Sequence, residues 1–413
     1  MPHRLDQSPW SATAPRVWPD PPREMSVSAL RELEACPRRW ALTWADYPEL
    51  WTHRGYPPKL HLFALSGTVV HLAVEEVTKA LVHGGCASAQ SSEAVSVMKK
   101  LGGYSTLLGK CIDTVLASHE DNPRAAHLLE AAAQTLSTQV PDMRAQLQGL
   151  LGRVRLDPTA TPRDGTGIGA GRLRGPLGRG IYPELEVRAR SMGWRGKIDV
   201  LSLSGSSCEI VEFKTGVPQD DHASQVRTYS VLWSRDVELN PAARPADKLT
   251  LSYRTGEVSV DPLGPTDLES LQRELMDRSD AARAAASAAL PEARPSAENC
   301  RYCSVRQLCE EYWRSHTQSR LGAAQTEQSA FMDIELAITG RHGAASWDGS
   351  VVVSRVTTPG RRLLLRTAQA DLSLRPSDRV RVVDAHVAIP DDATEPGIAT
   401  LGARSEVFVV ERP

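Results

Sequence analysis

Two stretches of the chain hold residue types and spacings that do chemistry. The first reads GKIDVLSLSGSSCEIVEFKTG, residues 196–216. Its apolar runs, broken by Gly and Ser, predict two strands and a turn. Strand residues two apart share a face, so Glu212 and Lys214 point the same way, and the turn brings Asp199 beside them. Two carboxylates beside one lysine are costly to bury unless something uses their charge. A divalent cation is the natural partner, and oxygen ligands suit Mg²⁺ or Mn²⁺. The backbone carbonyl of Phe213 is a further donor. Glu184, in YPELEV, adds a carboxylate from the preceding strand, with Glu186 as its same-face neighbour and rival. The second stretch, Cys300-x2-Cys303-x5-Cys309, puts three thiols within ten residues, and Cys36 is the candidate fourth ligand. Four cysteines suit an iron–sulfur cluster or Zn²⁺, and spacing does not separate the two.

The elements that must position these residues are legible in outline. Residues 1–24 are Pro-rich and lack periodicity, which predicts a flexible lead. Ser28 is expected to cap a short helix, SALRELEACPRRWAL, broken at Cys36-Pro37. A second helix carries Val70, Val74 and Val77 on one face, and residues 105–150 are also helical. Residues 151–180 form a basic, flexible loop with six Arg against two Asp. The β-rich block follows, then the helix SQVRTYSVLWSR, a hairpin at Thr255-Gly256, a helix over 265–290 and the cysteine cluster. Residues 319–329 read as a linker. From 330 to 413 the pattern alternates with a period of two, and DIELAITG, SVVVSRVT, RRLLLRT, DRVRVVDAHVAI and SEVFVVE predict five strands of a small barrel.

Composition sets outer bounds. A chain of 413 residues, 41% hydrophobic and 24% charged, suits a soluble protein of two or three domains. Its net charge of −2 argues against a general nucleic-acid coat but not against a local basic groove. No apolar run is long enough for a membrane span, and the first residues have no secretory h-region, so a cytoplasmic protein is expected. Seven cysteines, an odd number, argue against a disulfide framework. No P-loop is present, so a motor would have to come from another chain.

Asp199 followed thirteen positions on by Glu212-x-Lys214 resembles the PD-(D/E)XK nuclease superfamily, and GKIDVL…EIVEFKTG resembles its RecB-like branch. Ser66-Gly67…His71 is similar to that branch's helix with a metal-binding His. Gln225 and Tyr229 are similar to its QxxxY motif, and SALRELEACPRRW to its opening Ser-x-Leu…Cys-Pro signature. The resemblance spans roughly residues 26–315. It implies an α/β fold: a restriction-endonuclease-like core, a mixed β-sheet flanked by helices with a helical N-terminal part, in a domain over 25–318. It implies a Mg²⁺- or Mn²⁺-dependent deoxyribonuclease, with His71, Asp199, Glu212 and the Phe213 carbonyl as metal ligands. Lys214 would orient the attacking water, Glu184 would assist, and Gln225 and Tyr229 would position the site. Cys36, Cys300, Cys303 and Cys309 resemble the 4Fe–4S staple of the branch, with Zn²⁺ as the alternative. The tail resembles an OB-fold, in which Trp347 is a candidate either for stacking on bases or for core packing; Arg195, ahead of Asp199, is a further candidate nucleic-acid contact. DNA as single strands or ends is the implied substrate, with a separately encoded helicase or defence-system protein as partner. The competing reading is a scaffold that binds nucleic acid without cutting it.

Overall fold

The computed structural model describes residues 10–156, 174–318, 329–367, 372–392 and 394–412. The described end of the lead is tied down rather than free. Its two-residue strand β1 (Trp10–Ser11) pairs with a strand near the C-terminus, and the Trp18 ring lies under the Arg38 guanidinium. Helices α1 (Val27–Ala35) and α2 (Pro37–Trp44) meet at Cys36. Pro37 ends the first and opens the second, because a missing N–H is harmless at the first helical position. Ser26, not Ser28, caps α1: its Oγ accepts from Ala29 N at 3.2 Å.

Five helices follow: α3 (Leu62–His83), α4 (Ser92–Lys100), α5 (Gly103–Ala117), α6 (Leu129–Thr138) and α7 (Val140–Leu151). They pack round the buried stripe Val70, Val74 and Val77 of α3. Most of the basic stretch 151–180 lies outside the described residues. The chain then forms β2 (Gly180–Ala189), β3 (Trp194–Leu203) and β4 (Cys208–Lys214), crosses through α8 (Asp220–Arg235), and adds β5 (Lys248–Tyr253) and β6 (Gly256–Val260). The sheet order is β2-β3-β4-β5-β6, antiparallel except for β4 with β5. A parallel pair needs a crossover, and α8 supplies it. One face of the sheet packs on α1, α8 and α9 (Pro265–Ala286), the other on α3 to α7. The expected mixed sheet flanked by helices is present.

The face alternation slips once. In β2, Tyr182 packs on the α8 side, and so do Leu185 and Val187. In β3, Ile198 and Leu201 both face that side, while Val200 faces α3. The register stays one-to-one through the slip, from Pro183–Val200 to Leu185–Ile198. Between those pairs lie Glu184, with φ at 55° in the left-handed region, and Asp199. A non-glycine residue rarely holds that conformation.

After α9 come α10 (Ala297–Arg301) and α11 (Glu310–Gln318), with the cysteine cluster between and around them. Strands β7 (Ser329–Gly343), β8 (Ser346–Val353), β9 (Arg362–Arg366), β10 (Arg379–Ala388) and β11 (Gly397–Thr400) close a barrel in the ring order β7-β8-β9-β11-β10. The fifth stave is β11, which the sequence reading missed. The SEVFVVE strand, β12 (Glu406–Glu411), lies outside the ring, between β10 and β1. Trp347 is fully buried in the barrel core, with Arg341 over its ring, so it offers no face for a base to stack on.

Buried ion pairs join barrel to nuclease-like domain. Arg306, between Cys303 and Cys309, holds Asp333 at 2.6 Å and Asp384 at 2.7 Å. Arg381 holds Glu335 at 2.9 Å and Glu310 at 2.7 Å, and Arg124 grips both carboxylate oxygens of Glu406. Among the described residues, no helix is long and apolar enough to cross a membrane.

Candidate active site

The β3–β4 ladder ends at Val200–Val211, just before the acidic residues, whereas β4 stays paired with β5 as far as Lys214. The two strands therefore part where Asp199 and Glu212 begin. Across the gap, Phe213 N donates to Asp199 Oδ2 at 2.6 Å. On the other side of Asp199 stands α3. His71 Nε2 lies 3.6 Å from Asp199 Oδ2 and 3.4 Å from the Phe213 carbonyl oxygen. Gly67, one turn before His71, lets α3 approach this closely: a Cβ there would sit 3.1 Å from Thr215 Oγ1.

His71, Glu184 and Asp199 bring three ligand atoms within 4.8 Å of one another. The left-handed turn at Glu184 sets that carboxylate beside Asp199, while Glu186 pairs with Arg188 instead. This separates two residues that simple alternation treats as equals. Glu212 is held differently. Its Oε1 accepts from Lys214 Nζ at 3.0 Å and Gln225 Nε2 at 2.7 Å, while its buried Oε2 has no hydrogen-bond partner. Gln225 also accepts from Lys214 at 2.8 Å and donates to the Tyr229 hydroxyl at 3.0 Å. The predicted glutamine and tyrosine of α8 thus fix the lysine and the glutamate of β4. Gly196 is needed for this: a Cβ would press to 2.9 Å from the Tyr229 ring and the Leu232 side chain.

Burial dominates the electrostatics. It pushes the Asp199 carboxyl up to about 7, with Glu184 adding to the rise against the Phe213 N–H and Lys214. It pushes Glu212 up to about 8, with the charge of Asp199 adding to it. An orphaned buried carboxylate oxygen and two acids that resist ionising are what a divalent cation would relieve. The donor set of carboxylates, one imidazole and a backbone carbonyl fits Mg²⁺ or Mn²⁺.

A cleft of about 690 Å³ opens beside these groups, lined by Arg31, Lys79, Arg195 and Lys197 together with Glu184, Gln225 and Tyr229. Arg195 is exposed on its wall. Sequence reasoning missed Glu75 and Lys197. Glu75 follows His71 by one helical turn, and Lys197 precedes Asp199 by two strand positions, so both spacings were visible.

All four candidate cysteines line one small cavity, with Arg38 and Arg39 at its edge. The sulfur of Cys36 accepts from Arg39 N at 3.4 Å and Arg294 N at 3.5 Å. Burial pushes the Cys303 thiol up to about 11 and Cys309 up to about 12. The three cysteines Cys86, Cys111 and Cys208 are buried elsewhere in the apolar cores.

No curated protein matches the chain. Among solved structures it is similar to the p204 HINb domain, at 10% identity over 56% of this chain and 93% of that one, with a TM-score of 0.17. It is also similar to a murine DNA-binding protein bound with double-stranded DNA, at 8% identity over 57% and 96%, with a TM-score of 0.18. Scores this low carry no argument about fold. The family comparison is of another order: the PD-(D/E)XK nuclease superfamily matches residues 24–310, and that span contains every acidic, lysine and glutamine residue of the centre. The chain belongs to the PD-(D/E)XK nuclease superfamily.

Proposed function

We propose that this protein is a metal-dependent deoxyribonuclease of the RecB-like branch that hydrolyses phosphodiester bonds in single strands, ends or flaps. The observation that carries the reading is the convergence of His71, Glu184 and Asp199 beside a glutamate whose inner oxygen has no partner. A divalent ion held there by those groups, Glu212 and the Phe213 carbonyl would acidify a water and polarise a phosphate oxygen. Lys214, steadied by Glu212 and Gln225, is placed to meet the developing negative charge. Tyr229 holds Gln225 in turn. Arg195 and the other cations of the cleft favour a phosphate backbone.

The four cysteines support a 4Fe–4S cluster. They line one cavity, with Zn²⁺ as the alternative occupant. The closed five-stranded barrel is consistent with an OB-like module. There the exposed Phe331, with the Arg404 guanidinium 5.5 Å from its ring centre, replaces Trp347 as the residue able to stack on a base. A helicase or defence-system protein encoded elsewhere is the natural partner of an enzyme without a motor.

The test incubates anaerobically purified protein with end-labelled single- and double-stranded DNA in Mn²⁺, Mg²⁺ or chelator. Cleavage that needs the ion and is lost in Lys214→Ala, with DNA binding retained, is expected. Binding without cutting in any metal would establish the scaffold instead. Cys303→Ser should bleach a broad band near 400 nm, about where 4Fe–4S ligation absorbs, and lower soluble yield. Unchanged colour and yield would dismiss the staple.

A further inference from the structure

We propose that Lys197 is a substrate-positioning cation that changes partners: it neutralises Glu184 before a divalent ion arrives, and grips a phosphate oxygen of the nucleic acid once the ion has taken Glu184 over. The inference rests on the nuclease reading above and adds a residue that the family motifs do not require.

Strand alternation puts Arg195, Lys197 and Asp199 in one row on the α3 side of β3, with neighbours in the row about 7 Å apart. Lys197 Nζ pairs with Glu184 Oε2 and stands 3.8 Å from Glu75 Oε2. The Glu184 side chain is only 8% exposed, while that of Lys197 is 56% exposed and lines the cleft. The ammonium therefore has a carboxylate side and an open side. Lys214 has no such choice: its side chain is 15% exposed and its ammonium is shared between Glu212 and Gln225. Two other cations of the cleft are committed as well, Lys79 to Glu75 and Arg31 to Asp221 at 3.0 Å.

Glu184 is also one of the three groups that close to within 4.8 Å. A divalent ion held there would compete with the ammonium for the Glu184 carboxylate and repel it. The displaced ammonium moves toward the cleft, where a polyanion would lie. Lysine suits the exchange, being a compact charge on a flexible stem.

The test uses full-length Lys197→Met and Lys197→Arg. Mn²⁺ binding is measured by calorimetry without DNA, and KM and kcat on a labelled single strand at saturating Mn²⁺. The Met variant is expected to bind Mn²⁺ about three- to tenfold more tightly, because its competitor is gone. Its KM for DNA should rise about tenfold, because a phosphate contact is gone. Arginine should restore both values to within about threefold of wild type. A merely structural lysine would shift neither in this opposed way. Unchanged or weaker Mn²⁺ binding by the Met variant, or an unchanged KM, overturns the proposal while leaving the nuclease reading intact. A wild-type protein that neither binds Mn²⁺ nor cuts DNA overturns the nuclease reading, and this proposal with it.

Discussion

At the junction with the barrel, Asp333, Glu335 and Glu406 are buried against Arg306, Arg381 and Arg124, whereas at the candidate active site Asp199 and Glu212 are buried against His71 and Lys214. The outcomes are opposite. Burial alone would raise the Asp333 carboxyl, but hydrogen bonds and charge from Arg306 outweigh it and hold the group below the usual carboxylate range. Glu406 is held low in the same way, by Arg124 and Lys59 against burial. At the candidate active site burial wins, and the two acids are pushed up to about 7 and about 8. Where the chain supplies its own guanidinium groups, a buried acid cluster is architecture. Where it leaves the charge unbalanced, the cluster fits the proposed role of a receptor for a cation.

The comparison can be broken most directly at Asp199. Asp199→Asn should cut cleavage about 10³-fold while leaving the metal-free protein as stable as wild type or more so, since a costly buried acid is gone. A melting temperature that falls with the activity would make Asp199 architectural. Arg306→Met should do the reverse. It takes the guanidinium from the buried Asp333, whereas Asp384 keeps Lys59, and should cost about 3–5 kcal/mol in a denaturant titration, with kcat of the folded fraction retained. An unchanged midpoint would remove the junction from the stability argument.

Titration sharpens the contrast further. Asp199 and Glu212 are raised on folding, so their contribution is fully present below the ordinary carboxylate range and is lost as pH climbs through about 7 to 8. Asp333 and Glu406 are lowered, so theirs is present above that range and lost as pH falls through it. Metal-free protein should therefore melt highest in mildly acidic buffer, and Mn²⁺ should raise the midpoint more at about pH 8 than at about pH 6. An equal Mn²⁺ effect at both would count against a carboxylate receptor. The smallest effect is expected for Tyr229→Phe. It removes one acceptor from Gln225, costing about 1 kcal/mol and slowing cleavage roughly fivefold.

The order in which features became legible follows their physical origin. The GKIDVL…EIVEFKTG hairpin, the apolar stripe of α3 and the Gln225–Tyr229 pair were readable because each depends on spacing within one element. The choice between Glu184 and Glu186 was not, since it turns on one left-handed residue that period-two alternation cannot encode. The barrel was readable as five strands, but one was misassigned. Alternation looks the same whether a strand closes a ring or flanks it, and β11 has only four residues. Trp347 stayed open between stacking and core packing for a related reason: a lone tryptophan in a strand shows its type but not its face. The cap moved from Ser28 to Ser26 because both serines precede the same apolar run.

The joining of α1 and α2 to the cysteine segment has a consequence in time. Arg38 donates to the Pro291 carbonyl and pairs with Glu311, Arg39 donates to the Asn299 carbonyl, and Arg278 grips Glu34. Every one of these partners of the first two helices is made more than 240 residues later. At about 5–20 residues per second, a ribosome takes roughly 10–50 s to cover that distance. Throughout that interval these contacts are missing, and Cys36 waits without the cavity it shares with Cys300, Cys303 and Cys309. A domain sewn shut by its two ends keeps one seam open during its own synthesis.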